Sequence, residues 1–354
     1  MSLSRKQCNI LRGLAILSIV LHNFLHQTRF GFTGQNESSF DIERTQGFLA
    51  SVFSDGVWNA FCEIFSFLGW IGVPVFVFLS GYGLVKKYEQ EDTPLKIWPY
   101  LKHSWLKLFL LMLPGVLFCA LFNQFLGLGG LHVQLKYAAY LSLLGNLFGL
   151  DSMTPSIYWY FGLTFELYLA YIVLNKYRSR ILLILGITLP LILQICLLYT
   201  GKENLVHFNL RNMIGWLPMF CTGVFLGRYK KRDEEKPDKR WWIYLLSLLL
   251  SAALLIPCNK SPWCWALIHF VSFAFFFSLF KLIDRLPHVN SVFVFIGSYA
   301  SFIFAAHPIA RIIVNECRIE SWGAGLELLL YLLFIAILVP LYRIIVVKLT
   351  ALFQ

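Results

Sequence analysis

One arginine and two histidines inside the first apolar stretch constrain this chain more than any other feature. Residues 9–27 read NILRGLAILSIVLHNFLHQ, a segment that would span a bilayer were it not for Arg12 near its start and His22 and His26 near its end. An ionisable side chain in hydrocarbon costs several kcal/mol, so residues kept there line a cavity and serve chemistry or transport. The stretch lacks the small-residue cleavage site of a secretory signal, and its polar residues lie inside the apolar region, so it reads as a retained first helix. A membrane enzyme or a transporter is the expectation.

The rest of the chain carries the same signature. Of 354 residues, 58% are hydrophobic, 17% aromatic and only 14% charged, with a mean hydropathy of +0.66, whereas a soluble domain carries about 25% charge. Apolar windows of membrane-spanning length recur at about 10–27, 64–85, 104–126, 157–175, 181–200, 211–228, 241–257, 264–282, 291–314 and 324–348. These predict an all-α polytopic membrane protein of about ten transmembrane helices, forming one membrane domain over residues 1–354. An eleventh window at 135–150 is decided by charge. If it does not cross, the basic clusters Arg5/Lys6, Lys86/Lys87/Lys96/Lys102, Lys176/Arg178/Arg180, Lys230–Arg240 and Lys281/Arg285 share one face, as cytoplasmic loops do. That places both termini in the cytoplasm and lays 135–150 flat or re-entrant on the outer side.

The net charge of +11 then follows from topology, which removes nucleic acid as the expected partner. The eight cysteines form no C-x-x-C pair and show no Cys/His spacing for zinc, so no metal is expected. Cys258 and Cys264 stand close enough in CNKSPWC to bridge in an oxidising compartment, or to remain free thiols at helix ends. The outer tryptophans Trp58, Trp70, Trp159, Trp263 and Trp322 fit an interfacial belt. Glu37, Asp41, Glu43 and Arg44 of the first outer loop either meet a substrate or form a solvated turn.

Four stretches, in order along the chain, narrow the class: LRGLAILSIVLH (11–22), GVPVFVFLSGYGL (72–84), WYFGLTFELYL (159–169) and SYASFIFAAHPI (298–309). Together they resemble acyltransferase family 3, the polytopic membrane O-acyltransferases that act on bacterial glycans. The resemblance implies an inner-membrane enzyme that moves an acyl group, most simply acetyl, from cytoplasmic acyl-CoA to a hydroxyl of a polysaccharide or lipid-linked glycan. No permanently bound cofactor is implied. The partners are acyl-CoA, the glycan acceptor and membrane lipid. The catalytic candidates are His22, His26, Glu166 and His307. Arg12, Lys102, Lys107, Ser80 and Tyr82 fall on the donor side.

The chain departs from the family pattern at three places. Nine residues rather than ten separate Arg12 from His22. One residue turns a helix by about 100°, so either the helix is locally irregular or the pairing differs, and His26 would then share the role. The family's usual Glu of the third stretch aligns with Thr164, and its Gln with Glu166. Its basic pair before a proline is matched loosely by Lys102, Lys107 and Pro114.

Ten residues of helix rise about 15 Å, which sets Arg12 at the cytoplasmic mouth and His22 in the outer half. An imidazole near its ordinary pKa takes a proton from an attacking hydroxyl at neutral pH; the alternative for His22 is a hydrogen bond between helices. Arg12 binds phosphate or anchors the helix by snorkelling. His307, with Arg311 one turn on, contacts substrate or pins its helix. Glu166 pairs with a histidine or arginine at the site or forms a structural pair. Ser80, Gly81 and Gly83 allow close packing. The competing function is a transporter or exporter of a small anion or glycan; such proteins show paired repeats and broken helices in matching positions, and the sequence displays neither.

Overall fold

The computed structural model describes residues 3–35, 37–89, 94–127, 130–149, 156–229, 240–317 and 322–353, and these are helical with no strand among them. Most of the basic run Lys230–Arg240, residues 230–239, lies outside the described residues. Sixteen helices follow in order: α1 Arg5–Leu25, α2 Ile42–Ser51, α3 Gly56–Leu68, α4 Val73–Tyr88, α5 Ile97–Phe125, α6 Leu131–Ala139, α7 Trp159–Tyr177, α8 Arg180–Tyr199, α9 Glu203–Arg211, α10 Met213–Tyr229, α11 Trp241–Cys258, α12 Pro262–Trp265, α13 Ile268–Ile283, α14 Pro287–Ser298, α15 Ala300–Cys317 and α16 Ala324–Phe353. Among the described residues, seven helical stretches are long and apolar enough to cross a membrane, and an eighth is reached if α14 and α15 count as one. α10 and α13 are apolar but shorter. Every window marked from the sequence is thus helical.

Three windows are less regular than the sequence suggests. Residues 64–85 are interrupted between α3 and α4 by a tighter 3₁₀ turn, Gly69–Gly72. The window 291–314 is broken at Tyr299. Both breaks correct the expectation of uninterrupted spans, and both sit beside glycines that press on another backbone: Gly69 and Gly72 against α1, and Gly297 against Asn9 of α1. The ambiguous 135–150 segment is not a single helix. α6 gives way to a wide turn at Tyr140–Leu144 in which Leu143 takes a left-handed φ of 67°, and a 3₁₀ turn follows at Gly145–Phe148.

The chain divides into two compact units. The first comprises residues 1–93, 174–210 and 214–300. Here α1 starts at a capping box in which the Ser4 hydroxyl accepts from the Gln7 N–H and the Gln7 side chain accepts from the Ser4 N–H. Helix pairs approach through glycines, as membrane helices do: Gly13 and Gly297 bring α1 and α14 together, and Gly81 and Gly223 do the same for α4 and α10. The loop between α1 and α3 packs onto this unit in part, with Glu37 buried and Glu43 and Arg44 exposed. Asp41 caps α2, the Phe48 ring stacks on Phe67 at 4.4 Å, and the Thr45 hydroxyl donates to the Asn259 carbonyl. Ile181, Ile184, Leu189 and Ile192 of α8 face outward, as lipid contact requires.

The second unit comprises residues 94–173, 211–213 and 301–354. Pro114 stands inside α5, where a proline removes a backbone donor and crowds the preceding turn. The Tyr342 hydroxyl of α16 inserts at this point. It accepts from the Gly115 N–H at 3.1 Å and donates to the Leu111 carbonyl at 2.7 Å, bridging the opened turn. All eight cysteines are free, including Cys258 and Cys264.

Candidate active site

His22 is held from two sides by the segment that ends α3. Its Nδ1 lies 3.2 Å from the Phe65 carbonyl oxygen, and a carbonyl can only accept, so Nδ1 carries a proton in this contact. Gly69 sits against the His22 Cβ so closely that a methyl there would approach it to 2.5 Å. The Ser18 hydroxyl, one turn earlier on α1, donates to the Gly69 carbonyl at 2.7 Å. The ring is 5% exposed. The second sequence stretch thus begins at a turn, Gly69–Gly72, that fits onto α1 only because those two residues lack side chains.

α1 is α-helical throughout from Arg5 to Leu25, so no local irregularity absorbs the one-residue difference in spacing. Ten steps of a regular helix leave Arg12 about 80° away from His22 around the axis, whereas the family's usual eleven would leave about 20°. The residue eleven steps on is Asn23, whose amide donates to the Ile19 carbonyl. Half-buried Arg12 donates to the Asn9 side chain at 3.3 Å. His26 caps the end of α1, and its ring stacks on that of His22 with centroids 4.8 Å apart. Gly34 of the outer loop covers the His26 ring, leaving no space there for a Cβ.

The remaining donor-side candidates are distributed. The Ser80 hydroxyl donates to the Phe76 carbonyl of its own helix. Tyr82 is buried, and its hydroxyl accepts from the Leu3 N–H at 2.8 Å, tying the start of the chain to α4. Both belong to the unit that holds Arg12 and His22. Lys102 and Lys107 are exposed on α5 and belong to the other unit.

Glu166 and His307 also belong to that other unit. Glu166 projects from α7, and its Oε2 accepts from the Met213 N–H at 2.8 Å, so one carboxylate oxygen caps the start of α10. Its Oε1 is buried with no hydrogen-bond partner. Around the same end of α7, Asn146 donates to the carbonyls of both Trp159 and Arg211 at 2.8 Å, and the Arg211 guanidinium lies 4.6 Å from the Trp159 ring. His307 is fully buried. Its Nδ1 stands 3.1 Å from the Ile303 carbonyl one turn back, while Nε2 is buried without a partner.

Several polar side chains at these places were not singled out from sequence. Tyr158 donates to the Ala305 carbonyl beside His307. In the first unit, Glu89 and Arg228 form a buried bidentate pair with contacts of 2.6 and 2.7 Å. His269 of α13 stacks on Trp216 at 4.2 Å and meets Trp70 edge-on at 6.3 Å. Trp58 and Trp263 are exposed as a belt requires, but Trp70 and Trp159 are buried inside their units, which corrects the belt reading for those two. A single sequence offers no periodic signal for such pairs, because each member arrives on a different helix.

The model of a family described as an acyltransferase domain matches residues 5–345 and so contains all four stretches. No curated protein and no solved structure matches the chain.

Proposed function

The chain belongs to acyltransferase family 3, and we propose that this membrane acyltransferase uses His22 as a general base to move an acetyl group from acyl-CoA to a glycan hydroxyl. The observation that carries the reading is the His22 ring: buried in an apolar helix and oriented by the hydrogen bond from its Nδ1 to the Phe65 carbonyl. In the transfer, the acceptor oxygen bonds to the acyl carbon to give a tetrahedral intermediate, whose collapse breaks the carbon–sulfur bond. The hydroxyl proton passes to His22 Nε2 and from there to the departing thiolate. Residues 1–354 act as one domain in the bacterial inner membrane, with ten spans, both termini cytoplasmic, and acyl-CoA entering at the Arg12 end of α1.

Release of free thiol from acetyl-CoA by the purified full chain tests the activity; a chain that releases none is not using this donor. Arg12→Ala is expected to weaken CoA binding by at least tenfold in a calorimetric titration. Arg12→Lys should restore only part, since lysine lacks the planar fork that bonds phosphate oxygens in pairs. Unchanged affinity in both variants would leave Arg12 as an anchor.

Orientation is tested separately. In a cysteine-free background, single cysteines at Lys87, Lys176 and Lys236 should be shielded from an impermeant thiol reagent in intact cells, while those at the exposed Glu43 and Glu203 should react. External labelling at Lys176 would show that 135–150 crosses. The breaks at 69–72 and at Tyr299 are the feature that favours an exporter, because broken helices mark transport sites. An exporter would bind substrate without releasing thiol.

A further inference from the structure

Transfer through a tetrahedral intermediate leaves negative charge on the former carbonyl oxygen, and that oxygen needs hydrogen-bond donors close to the base. The clamp that holds His22 supplies two. His22 is bonded to the Phe65 carbonyl and rests against Gly69. The next residue in each case, Ser66 and Trp70, carries a hydrogen-bond donor. Ser66 Oγ is buried at 0% exposure and Trp70 Nε1 at 1%, and neither has a hydrogen-bond partner. The two residues are four apart across the junction of α3 with the Gly69–Gly72 turn, which puts them on one side of that segment.

Neither arrangement is what a structural role produces. A serine inside a helix ordinarily bonds the carbonyl one turn back, as Ser80, Ser251 and Ser272 do here. A buried indole N–H ordinarily finds an acceptor, and the neighbouring Trp216 donates its own to the Leu210 carbonyl at 2.6 Å. Trp70 has an imidazole beside it, yet His269 meets it edge-on at 6.3 Å and its Nε2 is unpartnered too. That imidazole is in turn stacked on Trp216, so the Trp70 ring rests against a rigid aromatic layer. An indole N–H can only donate, so the group it awaits is an acceptor.

From these contacts we propose that Trp70 Nε1–H and Ser66 Oγ–H form the oxyanion site of the transfer, receiving the thioester carbonyl oxygen while His22 takes the proton from the attacking hydroxyl. The inference deepens the acyltransferase reading and rests on it. The test uses the full chain in detergent with acetyl-CoA as donor and water as acceptor: the oxygen–carbon bond forms, the carbon–sulfur bond breaks, and acetate and the free thiol of CoA are released. Trp70→Phe, which keeps the ring and loses the donor, should lower kcat about 10²-fold, as removal of one oxyanion donor does. Ser66→Ala should lower it to a similar degree. Affinity for CoA should stay within twofold in both, and Trp70→His, which retains an N–H, should recover part of the rate. Rates within threefold of wild type in both Trp70→Phe and Ser66→Ala, alongside an inactive His22→Ala, would overturn the oxyanion site and leave the base in place. A loss of CoA affinity equal to the loss of rate would overturn it as well, by showing a packing role. A wild-type chain that releases no thiol would overturn the acyltransferase reading, and this inference with it.

Discussion

Replacing His22 with alanine is expected to reduce acyl transfer by about 10² to 10⁴, the contribution of a general base, while the protein still inserts and elutes as the wild type does. The fold should survive because the ring donates one hydrogen bond to the Phe65 carbonyl and the clamp has a second tie, the Ser18 hydroxyl on the Gly69 carbonyl. His26→Ala should cost far less. His26 stacks on His22 at 4.8 Å but sits at the cap of α1, where its removal loosens the catalytic ring without deleting the base. Thiol release from acetyl-CoA at saturating donor measures both. Near-wild-type release by His22→Ala would eliminate the mechanism, and reversed effects would transfer the role to His26.

The value of that comparison comes from the one-residue departure in spacing, which sequence alone could state but not resolve. A nine-residue gap between Arg12 and His22 is compatible with a bulged helix or with an altered pairing. The regular α1 removes the first. The ten apolar segments were legible because membrane spans announce themselves by length and composition. The breaks within them were less so. GWIG at 69–72 and GSY at 297–299 look like ordinary glycines in apolar runs, and their meaning depends on which backbone lies opposite: α1 in both cases. Trp70 was assigned to the interfacial belt because tryptophan near a span end belongs there by default. Only its burial beside His269 distinguishes it. The Tyr342 bridge over Pro114 was hidden for the same reason, since a tyrosine late in the last helix gives no hint of the proline it repairs.

Glu89 shows the same limit from the side of charge. In the run KKYEQEDT it reads as one of several solvated loop carboxylates, yet it is buried at the end of α4. Two of its contacts, at 2.6 and 2.7 Å, go to Arg228 of α10. Arg228 also donates to the Leu174 carbonyl at 2.8 Å, and Asn175 reaches Glu89 at 3.4 Å, so the pair joins three chain segments of the first unit. Both side chains are almost inaccessible, at 5% and 6%. Glu89→Ala is therefore expected to destabilise the protein by about 3–5 kcal/mol, most of it the cost of a guanidinium left buried without its counter-charge. Replacing both partners, as Glu89→Leu with Arg228→Met, should recover most of that loss, because a well-packed apolar pair of similar volume removes the stranded charge as well as the bond. Thermal unfolding of the detergent-solubilised chain compares the variants. The argument fails if Glu89→Ala unfolds at the wild-type temperature, or if the double replacement is no more stable than the single one, since a buried ion pair that matters chiefly through the penalty of breaking it must be rescued by deleting both charges.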